Sequence, residues 1–113
     1  MTHEEIHKGL QVNLDALEGL VDEVRRAGRD AAMTEAAYKI EFAKARLTVK
    51  ATAMEKLTVG DIESEATIQC EKLYLAYLIA ENNFTSVREA LRALQSKIDG
   101  YRTLSASFRA AGG

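Results

Sequence analysis

His3, Glu4 and His7 spell H-E-x-x-H at the start of this chain of 113 residues. In zinc proteases that spacing puts two imidazoles one helical turn apart on a single metal ion, and the glutamate between them activates the metal-bound water. The rest of that chemistry is missing. A catalytic zinc takes a third protein ligand, and the chain has only these two histidines. The places where the extended motif puts a glycine and a third histidine hold Leu10 and Asn13. Glu18 follows His7 by eleven residues, roughly 16 Å along a helix. The same letters describe a helix start, with Thr2-x-x-Glu5 as a capping box and Glu4 and Glu5 at the positive end of the dipole. The expectation is no metal, no catalytic residue and no cofactor, hence no enzyme.

Two other residue sets carry chemistry. Cys70 is the single cysteine, so no internal disulfide is possible, and both histidines lie far from it in sequence. It is expected to be a small buried apolar side chain. Arg88, Arg92, Lys97, Arg102 and Arg109 make the C-terminal segment basic and are the candidate phosphate contacts. Arg88, Arg92 and Arg102 each follow an apolar residue by one position, which also suits salt bridges between helices. The net charge of −2 gives no whole-chain signal for nucleic acid. Its distribution is uneven: residues 1–28 sum to −3, 29–60 to +2, 61–87 to −4 and 88–113 to +3. Acidic segments lying against basic ones, within a chain or between chains, would use this alternation.

The elements that must hold these residues are helices. Proline is absent, and Ala, Leu, Glu, Lys and Arg dominate. Three helices are expected, about 3–27, 30–57 and 61–109, in one all-α domain spanning 1–113. "RRAGRD" and "KLTVGDIE" are the two interruptions, each a Gly that can end a helix followed by an Asp that can cap the next. The first helix carries Leu10, Leu14, Leu17, Val21 and Val24 on one line. The second carries Met33, Ala37, Ile40, Leu47, Ala51 and Met54, with Lys44 interrupting. Its small alanines bury little area each, so it is expected to need partners on more than one side.

The third segment has the strongest pattern. Tyr77, Ala80, Phe84, Val87, Leu91, Leu94, Ile98, Tyr101, Ser105 and Phe108 alternate spacings of three and four, a heptad line sustained over four heptads. Asn82 and Asn83 are poor helix formers, but the line keeps its phase across them, which predicts continuity. The first two helices would each span about 40 Å and the third about 70 Å. Either the first two run end to end against the third, or half of the third protrudes. Both leave apolar line uncovered, and self-association into a bundle, a dimer or higher, would cover it. Phe84, Val87, Leu91, Leu94, Ile98, Tyr101 and Phe108 are the expected subunit interface.

No apolar run reaches membrane-spanning length, and the acidic N-terminus lacks the apolar core of a signal peptide. A cytoplasmic protein without a membrane partner is expected. "REALRALQSKIDGYRTLSASFRA" and, in the middle of the chain, "AAYKIEFAKARLTVKA" resemble small helical accessory proteins of bacteriophages and prophages, notably actinobacterial ones. The likeness rests on a leucine-and-arginine helix ending in Ile98, Asp99 and Arg102. It implies an accessory protein of recombination or replication that acts with DNA or a DNA-handling protein partner. The alternative from another class is an inhibitor that blocks a host enzyme or defence system.

Overall fold

A computed structural model describes residues 1–112 as three helices: α1 (His3–Thr52), α2 (Val59–Gln69) and α3 (Glu71–Ala110). The fold is all-α, and the described residues contain no strand. Helix α1 starts at the expected cap with half of the capping box, the Glu5 N–H donating to the Thr2 hydroxyl at 3.1 Å. It does not stop at Gly28. Ending a helix on glycine uses a positive φ, and among the described residues only Gly112 has one. Gly28 stays helical, at a cost of about 1 kcal/mol against alanine. Burial of Ala27 and Ala31 on either side offsets that cost. The expected break at 27–30 is therefore replaced by one helix of 50 residues.

The second interruption is real, but its chemistry differs from the expected form. Helix α1 ends at Thr52 rather than Leu57. The Thr48 and Thr52 hydroxyls donate to the carbonyls of Lys44 and Thr48 in its last turns. After a loop over 53–58, Thr58 caps α2 in extended backbone. Its hydroxyl accepts the Asp61 N–H at 3.1 Å, and its own N–H donates to the Asp61 carboxylate at 3.3 Å. Asp61 is thus the third helical residue of a capping box, and Gly60 lies inside the helix. Thr58→Ala is expected to lower stability by about 1 kcal/mol, whereas Thr58→Ser retains it. Urea denaturation followed by circular dichroism measures the difference.

Continuity across Asn82 and Asn83 holds, since α3 runs through both. The helix expected over 61–109 breaks instead at Cys70, whose N–H reaches both Ala66 O (3.0 Å) and Thr67 O (3.2 Å). That tightened turn leaves Cys70 at φ −102°, ψ 18°, and helix resumes at once with Tyr74 N–H donating to Cys70 O.

The helices form two compact units. One joins Met1–Arg26 with the chain from Phe84 onward. In it the start of α1 lies antiparallel to the end of α3: His3 packs on Phe108 with ring centroids 5.7 Å apart. Gly9 lies under the Tyr101 ring, so close that a Cβ there would come within 2.6 Å of it. Ile6 and Ile98 are its buried apolar side chains. Asn13 is buried too, and its amide donates to Gly9 O at 2.6 Å, so the polar side chain has a partner.

The other unit, Ala27–Asn83, packs α1 against α2 and the start of α3. Ala45, Ala66 and Cys70 form its core, covered by Tyr38 and Phe42. Tyr38 stands 5.0 Å from Tyr74 and 5.9 Å from Tyr77, ring centre to ring centre. Such aromatic contacts contribute about 0.5–1.5 kcal/mol each beyond the area they bury. Each unit brings together segments of opposite net charge, and one ion pair among the described residues crosses between helices. Acidic 1–28 shares a unit with basic 88–113, and basic 29–60 packs with acidic 61–87, where Arg46 and Glu63 are 4.0 Å apart.

Candidate interaction surfaces

The H-E-x-x-H residues occupy the first turns of α1. His3 stacks on His7 with centroids 6.0 Å apart and on Phe108 from the other arm of its unit. No three His, Cys, Asp or Glu side chains among the described residues are grouped to hold a metal ion. Cys70 is buried in the small-residue core, which matches its expected role.

The heptad line of α3 faces α1 of the same chain. Ile98 is buried, and Phe84, Val87, Leu91, Leu94, Tyr101 and Phe108 are half-buried. Tyr101 and Phe108 meet Gly9 and His3. The line expected to join subunits thus first closes the antiparallel pair within one chain.

The five basic residues are all exposed but do not form one patch. At about 100° per residue, Arg88 and Arg92 share a side of α3, while Lys97 lies on the opposite side. Lys97 lines a shallow groove with Met1, Gly100, Tyr101 and Leu104. Two of the five have partners already: the Arg88 guanidinium sits 4.5 Å over the Phe84 ring, and Arg102 is 3.8 Å from Asp99.

The main departure from expectation is on the 30–52 half of α1. The apolar line Met33, Ala37, Ile40, Leu47, Ala51 and Met54 is not the side that meets the chain's own core. It faces outward: Met33 is 64%, Ile40 56% and Leu47 71% exposed, and Met54, in the loop, is fully exposed. The inner line is Ala31, Tyr38, Phe42, Ala45 and Val49. Both lines have helical spacing. The inner one prevails because the Tyr38 ring meets Tyr74 and Tyr77, and because Phe42 and Ala45 pack with Ala66 and Cys70. The signal available in the sequence was Tyr38 with Phe42, four apart, and Tyr74 with Tyr77, three apart.

Four of the six outer residues follow an inner one by two positions: 31 and 33, 38 and 40, 45 and 47, 49 and 51. Two positions turn a helix by about 200°, so the outer line runs along the opposite face. The other arm repeats this, with exposed Ile68, Leu75 and Ile79 two positions after Ala66, Leu73 and Tyr77. Among the described residues twelve large apolar side chains remain exposed, and nine lie in Ala27–Asn83. The two units are of nearly equal length, so the bias is a property of the second unit's surface. Two grooves border its outer faces. One contains Met33, Ala76, Ile79 and Ala80, and the other Ala43, Leu47, Val59 and Ile62.

Charge on this unit is arranged locally. Glu35 accepts from the Lys39 ammonium at 2.7 Å, and that hydrogen bond raises the Lys39 pKa above its ordinary value. A hydrogen bond with Glu81 likewise raises the Tyr77 phenol. No helix among the described residues is long and apolar enough to cross a membrane. Comparison with protein families, characterised proteins and solved structures gives no match for this chain.

Proposed function

We propose that this chain is a non-enzymatic helical protein that self-associates and binds a protein partner through helix faces. The observation that carries this reading is the second unit's two-sided helices, apolar toward their own core and apolar again on the outside. Exposed apolar area on this scale on a small soluble domain marks an interaction surface. The resemblance to phage accessory proteins agrees with this picture: a short helical subunit that acts on a larger DNA-handling machine.

Phosphate contact is a second reading, favoured by Arg88 and Arg92, which stand exposed one turn apart on α3. Light scattering on the full chain at tens of micromolar is expected to give a multiple of the single-chain mass, and a monomer sinks the self-association reading. Titration with single-stranded and duplex DNA tests the second reading. Salt-sensitive binding that Arg88→Glu with Arg92→Glu abolishes supports it, and no binding at low salt removes it.

A further inference from the structure

We infer that the outer line of α1 is a subunit interface, paired antiparallel with the same line of a second copy. The inference rests on the self-association proposed above and names the residues that carry it. Met33, Ala37, Ile40, Lys44, Leu47 and Ala51 recur at spacings of four, three, four, three and four. They all lie within α1 and face away from the chain's own core. That is a coiled-coil repeat with Met33, Ile40 and Leu47 in one core position and Ala37, Lys44 and Ala51 in the other. The flanking Ala36 and Ala43 leave room for a neighbouring helix to approach closely.

Lys44 decides both the occupant and its direction. Its ammonium lies 3.2 Å from the Glu41 carboxylate of its own chain. In a parallel pair, Lys44 would meet Lys44 of the second copy in one core layer, with like charges opposed. In an antiparallel pair the two kinds of core position alternate across the interface. Centring that pair on residue 42 sets Met33 beside Ala51, Ala37 beside Leu47, and Ile40 beside Lys44 of the other copy. All six layers then fall inside α1. The stem of each Lys44 covers the opposing Ile40, and its ammonium lies next to Glu41 of both copies. Two lysines and two glutamates neutralise one another at the centre of the interface. The line is thus complementary in charge and spacing to its own antiparallel copy.

The test uses the full chain. Ile40→Lys with Leu47→Lys changes two exposed side chains, so the helical circular dichroism and the melting temperature are expected to stay as in the wild type. Light scattering at tens of micromolar is expected to fall from an oligomer to the single-chain mass. A wild-type chain that is already monomeric overturns both the self-association reading and this interface. A double variant that remains oligomeric overturns the interface alone. Direction is tested independently by oxidation of introduced cysteines. Met33→Cys with Ala51→Cys is expected to give a disulfide-linked dimer, and Ala51→Cys alone is not. Cross-linking by Ala51→Cys alone, or none by the pair, overturns the antiparallel arrangement.

Discussion

Ile98→Ala is expected to lower the free energy of unfolding by about 2–5 kcal/mol. Ile98 is the one buried residue of α3, only 3% exposed, in a line whose other members are half-buried. The lost transfer free energy of three carbons adds to the cavity they leave, and the size of the effect depends on how far the site collapses. Leu94 and Tyr101 flank Ile98 by four and three residues. Both are half-exposed and so have room to move, which places the cost toward the lower part of that range. A domain of this size has about 5–15 kcal/mol of stability in all, so the effect is large either way. Denaturant unfolding measures it. A loss under 0.5 kcal/mol would mean that the contact between the start of α1 and the end of α3 contributes little to stability.

Ala66→Leu tests the other unit in the opposite direction, by adding volume. Ala66 is fully buried and touches Ala45 and Cys70, with Tyr38 and Phe42 above. The small side chains let α1 and α2 approach, so three added carbons push the helices apart or force the rings out of their contacts. Overpacking of this kind costs about 1–3 kcal/mol. Near-ultraviolet circular dichroism should change with it, because Tyr38, Tyr74 and Tyr77 stand within 6.5 Å of one another, ring centre to ring centre. Ala66→Gly should leave that aromatic signal closer to the wild type. If Ala66→Leu unfolds at wild-type denaturant concentration with an unchanged aromatic spectrum, the tight approach of α2 to α1 is wrong.

Helicity, the start of α1 at Thr2, continuity through Asn82 and Asn83 and the core-facing line from Tyr77 to Phe108 could all be read from the chain. Each depends on local quantities: the missing prolines, one capping hydroxyl, and a repeat that keeps its phase. Local chemistry does not decide between two outcomes of similar local energy. Gly28 with Asp30 and Gly60 with Asp61 look alike as letters, yet the first pair stays inside a helix and the second follows a true cap. The difference is burial of Ala27 and Ala31 in one case and the Thr58 hydroxyl in the other.

The candidate surface was legible in part for the same reason. The residues from Met33 to Ala51 form an apolar line in the sequence, and the alanines among them predict partners on more than one side. Which side met the chain's own core was not decided by periodicity, because the lines through Ala31 and through Met33 share the helical period. Contact between Tyr38 and the tyrosines of α3 decides it, and that contact joins residues some 36 to 39 apart in sequence.

For this protein the amino-acid sequence by itself determined a helical chain, its strongest apolar line and the charge pattern that matches its arms. It also presented His3 and His7 without a third ligand. Only the tertiary structure decided which apolar line closes the chain on itself and which is left outside. Periodicity marks every apolar face of a helix equally. The choice between faces comes from how well side chains from distant segments fill the space between helices.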